Sequence, residues 1–525
     1  MEEAQGSMAM APAEIMLDAV RAEEAWTGVE LLVCAVLQLL LVFLGYRLDR
    51  ATTHTMMIPE SAYAIVFGLC FGAVLKFCTP VDKIGLNPQV LFFGLLPPII
   101  LEAGFSMKKR GFFTNFSTIL LLAIVGTLVA TFITGGLLIW LGRLGLITAL
   151  TPAEAYLYGS LISAVDPVAT LSVFKKNDAP PMLFNLVFGE SVLNDGVAIV
   201  VFTLFQEFIR HGVSDVDHHA AFMVVLKVLA IGIGSVALAA AVCFISAFML
   251  KIADPMLQQY PHYEISIVLL SAYISYVVGD LAGLSGIVAL FFSGVLMSHY
   301  HLTNMSQESA TALKHLLATL AFLAENFIFL YLGVSVVAYS SSFKWDWRFL
   351  ILQLLVLLLA RAANTFPLCA LANLGRKDPI PFSHMVVIWF SGLRGAIAFA
   401  LALNVWTPDE SHAGVIKSST LFTVMFTTLV FGVSTGPLLT YVGLGKRHAP
   451  SPFLRPEAVK LLDEVHDCGG DPISPTAETG MHGIWNDMDA KYLMPVFGKQ
   501  RQQETESHAT ISSMSSSGLS DYERP

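Results

Sequence analysis

Charge is scarce in this sequence. Asp, Glu, Lys and Arg make up 13% of its 525 residues, against roughly 25% in an average soluble domain. That scarcity, beside 55% apolar residues, excludes a secreted, cytosolic or fibrous protein. Metal-ligand spacing is also missing. The six cysteines, Cys34, Cys70, Cys78, Cys243, Cys369 and Cys468, are scattered, and all but the last lie in or beside apolar runs, as small buried hydrophobes do. The first 28 residues have no basic stretch leading into a short apolar core and cleavage site, so no cleaved signal peptide is expected. Basic residues form short clusters and no stripe, which excludes nucleic-acid partners. No repeated ring or filter-like loop is present, which argues against a channel.

What remains is apolar sequence in lengths of about 20 residues, the reach of one bilayer-crossing helix. The runs predict thirteen spans: 30–48, 59–78, 90–105, 117–141, 153–174, 183–209, 221–250, 262–279, 282–299, 314–339, 347–371, 382–404 and 415–442. With the N-terminus outside, Arg47/Arg50, Lys108-Lys109-Arg110, Lys175-Lys176, Arg376-Lys377 and Lys446-Arg447 all fall on one face. That is the positive-inside pattern, and twelve spans would split it. Residues 1–29 then form an outer or lumenal segment, 30–447 the membrane domain, and 448–525 a cytoplasmic tail. The formal charge of −10 collects largely in the two terminal segments and the Asp215–Asp217 loop, as solvated faces. The tail is proline-rich at first and serine-rich at its end. It reads as largely disordered, with one short helix at 456–465 and room for cytoplasmic regulators.

Ionisable residues inside spans are expensive, so their positions carry information. The fifth span holds Ser163-Ala164-Val165-Asp166-Pro167, and proline should kink or break the helix where Asp166 sits. The sixth holds Glu190-Ser191-Val192-Leu193-Asn194-Asp195. Glu190 and Asn194 share a face, with Ser191 and Asp195 one residue round. Asp166, Asp195, Asn194 and Ser191 offer oxygen ligands suited to a small hard cation, and a broken helix adds backbone carbonyls. The plainer reading, in which these groups only hydrogen-bond helices together, fits a lone Asn-Asp pair better than two carboxylates beside a proline with a third nearby. A second interruption is expected at Ser391-Gly392-Leu393-Arg394-Gly395, where glycines flank an arginine that needs an anion or water. Charge balance makes Glu190 the expected partner of Arg394. Arg361 could pair with Glu190, with Asp166 or with carbonyls at a broken helix end.

Weaker signals follow. Leu95-Leu96-Pro97-Pro98 should break the third span, with Glu102 beyond it, although a double proline is often no more than a kink. Glu325 is expected to line a vestibule or an interface. Glu264 and Asp280, near span ends, are expected to be solvated, and Gly126, Gly135, Gly136, Gly232 and Gly234 to allow close helix packing.

The same residues carry a resemblance. The segments 92–100, 163–167, 188–195, 324–329 and 390–396 resemble, in order, those of sodium/proton exchangers of the eukaryotic cation/proton antiporter family, in the endosomal, Golgi and vacuolar branch. The resemblance implies an all-α polytopic fold of thirteen transmembrane helices with inverted repeats and two interrupted crossing helices. Spans 4–6 and 11–13 would form the core, spans 1–3 and 8–10 the dimerisation domain, and span 7 the linker. It implies a homodimer in membrane lipid, no cofactor, no enzymatic chemistry, and electroneutral exchange of Na+ for H+, with K+ or Li+ as alternative cargo. Asp195 would be the main carboxylate for transported Na+, assisted by Asp166, Asn194 and Ser191, with Arg394 held by Glu190. Phe93, Leu96, Pro97, Pro98, Glu102 and Glu325 would belong to a vestibule or inhibitor region. Val165 stands where many relatives have threonine, so backbone carbonyls at 164 or 165 would complete the shell. The membrane implied is endosomal, Golgi or vacuolar, with the plasma membrane as the alternative. Two rival readings survive: a proton-coupled solute symporter, which also needs a titrating carboxylate, and a potassium-preferring antiporter.

Overall fold

The computed structural model describes residues 32–48 (except 34), 59–78, 90–444 and 488–498, apart from 108, 178, 213–217, 254, 339–343 and 377. The N-terminal segment, most of the tail and the basic pair Lys446-Arg447 lie outside the described residues.

Every described element is a helix, and the short pieces Lys109–Thr114 and Pro255–Gln259 are left unlabelled. In chain order we label them α1 (Ala35–Leu48), α2 (Glu60–Cys78), α3 (Leu91–Phe105), α4 (Phe116–Arg143), α5 (Pro152–Ser163), α6 (Pro167–Lys176), α7 (Pro181–Arg210), α8 (His218–Ile252), α9 (Pro261–Leu281), α10 (Gly286–Asn304), α11 (Gln307–Ala338), α12 (Trp347–Asn373), α13 (Phe382–Phe390), α14 (Ala396–Leu403) and α15 (Glu410–Tyr441). A short helix, α16, follows within 489–497. Eight of these, α4, α7 to α12 and α15, are long and apolar enough to cross a membrane, and α1 to α3 are shorter apolar helices. The expected interruptions are present: α5 and α6 are the two halves of one broken element, α13 and α14 of another.

Start signals in the sequence fix many of these boundaries. Pro152, Pro181 and Pro261 each stand in a first turn, where a missing amide is harmless. Thr151 and Glu154 form a reciprocal capping box on α5. Asp346 caps α12 by accepting from the amides of Arg348 and Phe349.

The helices pack in two groups. In one, α3 and α11 pack together, α2 against α11, α10 against α3, and α8 and α9 against α10. In the other, α4, α5, α7 and α12 pack together, and α14 packs on α15. The α2–α11 contact depends on glycine. A Cβ at Gly68 would lie 2.3 Å from the Leu330 carbonyl oxygen, and one at Gly333 2.4 Å from that of Ile65. Of the glycines marked in the sequence, Gly126, Gly135 and Gly234 meet close neighbours, whereas Gly136 and Gly232 face open space. Three polar tethers lie at one end of the second group. Thr148 donates its hydroxyl and amide to Asp346 (2.7 and 3.1 Å), His412 Nδ1 meets Glu154 Oε2 (2.9 Å), and the Gln206 amide donates to the Trp406 carbonyl (2.6 Å).

Two expectations need correction. Pro97 and Pro98 do not break α3; residues 91–95 widen into a π-turn that runs into the α-helix at Leu96. In that register the Phe92 carbonyl would be served by residue 97, a proline with no N–H, and the Tyr276 hydroxyl donates to it instead at 2.9 Å. Glu264 is not solvated either. It is 1% exposed and accepts from the amide (3.1 Å) and hydroxyl (2.9 Å) of Ser306, just before α11 begins. Its place near a span end pointed to water, but the neighbouring helix covers it.

Candidate ion-binding site

The site is built where the two broken helices cross. The backbone is extended after Ser163, with Ala164 at ψ 128°, and again at Gly395 (φ −138°, ψ −151°). These stretches are joined to each other: the Asp166 amide donates to the Leu393 carbonyl at 2.8 Å, and the Thr170 hydroxyl to the Ser391 carbonyl at 3.2 Å. Groups that a continuous helix would have paired internally are thereby satisfied across the crossing.

Arg394 completes the crossing. Its Nη1 donates to the carbonyls of Ser163 (2.8 Å) and Ala164 (2.9 Å), at the end of α5 where helix carbonyls lack partners and the dipole favours a cation. Its own backbone is held by α15: its amide donates to the Thr427 hydroxyl (3.1 Å), and the Thr428 hydroxyl donates to its carbonyl (3.3 Å). These two threonines went unmarked in the sequence, because α15 carries many hydroxyls and nothing set this pair apart.

Asp195 sits on α7 beside the crossing, and its carboxylate accepts from the Val165 amide. Val165 therefore meets Asp195 through its N–H. Asp166 and Asp195 are 8% and 7% exposed. Both line a cavity of about 560 Å³ that also meets Glu60, Glu102, Ser172 and Glu325. Gly395 is needed here by close approach, since a Cβ would lie 2.4 Å from Asp166 Oδ2. Ser191 and Asn194 are each 1% exposed and do not line the cavity, and Ser191 Oγ and Asn194 Oδ1 have no hydrogen-bond partner among the described residues. The set is thus two carboxylates on the wall of one cavity, with two oxygens buried on α7 that meet no partner among the described residues. Oxygen donors without sulfur or imidazole match a hard monovalent or divalent cation.

The expected Glu190–Arg394 ion pair is not formed. Glu190 Oε1 is 2.5 Å from Nη1 of Arg361, whose Nη2 donates to the Ile388 carbonyl at 3.2 Å. Both side chains are buried. Of the partners open to Arg361, Glu190 is the one it meets; charge balance could not choose between two buried arginines, and α12, packed on α4 in the same group, brings Arg361 alongside α7. Of the vestibule residues, Leu96, Glu102 and Glu325 line the cavity; Phe93, Pro97 and Pro98 do not, and the Phe93 ring instead meets Tyr276 edge-on at 5.9 Å. Glu60 and Ser172 were missed. Glu60 stands at a helix start, where an acidic residue has an ordinary reason to be.

Comparison with known proteins agrees with this architecture. A family profile described as "Sodium/hydrogen exchanger, transmembrane" matches residues 38–441. Sodium/hydrogen exchanger 8 of Rattus norvegicus is 34% identical over 511 residues, covering 93% of this chain and 87% of its own length. Sodium/hydrogen exchanger 5 of Arabidopsis thaliana is 35% identical over 419 residues, 78% of this chain and 79% of that protein. Among solved structures, the sodium proton antiporter MjNhaP1 from Methanocaldococcus jannaschii, at pH 8, superposes with a TM-score of 0.61 and 18% identity over 80% of this chain and 100% of that one. The fold is therefore that of an all-α, polytopic cation/proton antiporter. The chain belongs to the sodium/hydrogen exchanger family, and it is a secondary active Na+/H+ antiporter.

Proposed function

We propose that Asp195 is the carrier carboxylate, holding a proton or a cation in turn, with Asp166 as its partner at the crossing. The observation that carries this reading is the meeting of both carboxylates at one cavity, where an interrupted helix is stitched to another through the Asp166 amide and the Leu393 carbonyl. Ser191 and Asn194 are the further oxygen donors, reached when the cation settles against α7. With an amide at 194, only one of the adjacent pair can release a proton, so one proton is exchanged per cation and no net charge moves.

The eight long helices, three shorter ones and two broken pairs make thirteen spans, with the two broken elements as counterparts in inverted repeats. The group of α4–α7 and α12–α15 is the moving core. The helices α1–α3 and α9–α11 are the scaffold that pairs two copies, with α8 as linker. The cavity meets Glu60 at the start of α2, Ser106 just past the end of α3 and Asn185 near the start of α7. By the positive-inside rule these ends are cytoplasmic, which makes this the inward-facing state. The three glutamates in the cavity raise local cation concentration there. The organelle is of the endosomal or Golgi type, by likeness to exchangers 8, 9 and 5.

Reconstitution tests the assignment. Acid-loaded vesicles should gain internal pH when external Na+ is added, with no organic solute present, and Asp195→Asn should reach the membrane yet leave less than about a tenth of that flux. The same assay with K+ and Li+ reads selectivity, where Val165 contributes no hydroxyl. Clamping the membrane potential should not shift the flux equilibrium; a shift would show net charge movement and end the one-to-one reading.

A further inference from the structure

The segment 488–498 lies far along the chain from the antiporter helices, yet the structure seats it on two of them. The Phe497 ring stacks on Phe244 of α8 at 4.5 Å between centroids, with Phe248 of α8 and Tyr300 of α10 at 6.5 and 6.4 Å. Lys251, in the last turn of α8, donates to the carbonyls of Pro495 (2.5 Å) and Val496 (3.1 Å). Asn304, the last residue of α10, donates to the Phe497 carbonyl at 2.7 Å and to the Ala247 carbonyl of α8 at 3.1 Å.

We propose that residues 488–498 are a latch that anchors the tail of the same molecule on an aromatic cradle at the ends of α8 and α10. Helices shorter than about 12–15 residues are marginal in water, so α16 cannot owe its order to its own backbone. Its carbonyls at 495, 496 and 497 are those that a helix end leaves unpaired, and Lys251 and Asn304 supply donors to all three. Lysine there also answers the negative end of the helix dipole. Phe497 is the anchor, an aromatic ring set among three others. The cradle takes a short segment that offers an aromatic side chain beside free carbonyls, and the sequence Leu493-Met494-Pro495-Val496-Phe497 is that ligand. None of the residues that hold the latch lines the ion cavity, so the latch fixes where the tail sits without entering the transport path.

Hydrogen exchange on the full-length protein in lipid nanodiscs tests this. Amides of 489–497 should exchange at least tenfold faster in Phe497→Ala than in the wild type. Asn304→Ala, on the cradle side, should speed the same amides although it leaves the segment's sequence intact. Phe222→Ala, at an exposed site near the other end of α8, should not change them. Equally fast exchange in wild type and both variants would overturn the latch, as would protection that survives both substitutions. A second measurement decides whose tail it is. In a protein without other cysteines, Thr303→Cys and Val496→Cys, exposed neighbours of Asn304 and Phe497 whose side chains make no latch contact among the described residues, should be joined by a short bis-thiol reagent within one chain. A product at twice the monomer mass would overturn the intramolecular seating.

Discussion

At the scale of single residues, the buried pair of Glu190 and Arg361 makes the sharpest prediction. Both groups are out of water, so removing one partner strands the other, a change that typically costs about 3–5 kcal/mol. Arg361→Met and Glu190→Gln should each lower thermal stability strongly, and the double variant should lose well under the sum. The coupling between Glu190 and Arg361 should exceed that between Glu190 and Arg394, because only the first pair is in contact. Equal couplings in the two cycles would mean that the arginines share the acid. Gly395 gives a second expectation at this scale. Gly395→Ala places a methyl group against the Asp166 carboxylate and should cut Na+-driven proton flux at least tenfold with the protein still in the membrane. Gly375→Ala, where an added Cβ would meet nothing within 4 Å among the described residues beyond its own chain neighbours, should be neutral, and similar flux in the two variants would remove Gly395 from the site. The acid–proline pair at 166–167 and the Glu190–Asp195 run were legible in the sequence, because carboxylates have few reasons to lie inside apolar helices. The choice of arginine and the role of Thr427 and Thr428 were not, since both depend on which helices become neighbours.

At the scale of elements, three helix starts carry a plain signal, because Pro152, Pro181 and Pro261 mark first turns by the absence of a donor that nothing there needs. The course of α3 was not legible. Proline reads as a break unless something serves the carbonyls it leaves behind, and Tyr276, far away in the chain, does so. The helix expected at 456–465 lies outside the described residues; the helix the structure describes in the tail is α16. Asp346 carries the prediction for this scale. Partial burial would raise its pKa, but hydrogen bonds from the Thr148 hydroxyl and from the amides of Phe349, Thr148 and Arg348 outweigh it and hold the carboxyl below its usual range. A carboxyl depressed in the folded state adds stability that is full above its unfolded pKa, near 3.9, and is lost as pH falls through the folded value. Asp346→Ala should cost about 1 kcal/mol near neutral pH, as the loss of a helix cap does. The gap to wild type should narrow only in acid below about pH 4. A gap that stays constant into strong acid would mean that the charge of Asp346 is not what caps α12.

At the scale of the whole molecule, topology is the quantity to check. In intact cells or sealed vesicles, cysteine placed at 213 should react from the outer or lumenal side and cysteine at 109 should not; labelling of 109 alone, or of both, would refute thirteen spans. The three tethers at the end of the second helix group have a bearing on kinetics. Thr148–Asp346, Glu154–His412 and Gln206–Trp406 each tie one part of that group to another, so it can be displaced as a braced body without its interior being remade. A step that shifts such a body re-exposes little apolar surface in passing, and heat capacity follows exposed apolar area. The activation heat capacity of transport should then be small. Above the bilayer's own melting range, the logarithm of turnover against inverse temperature should fall on a straight line, unlike the curved plots of reactions that pass through partial unfolding.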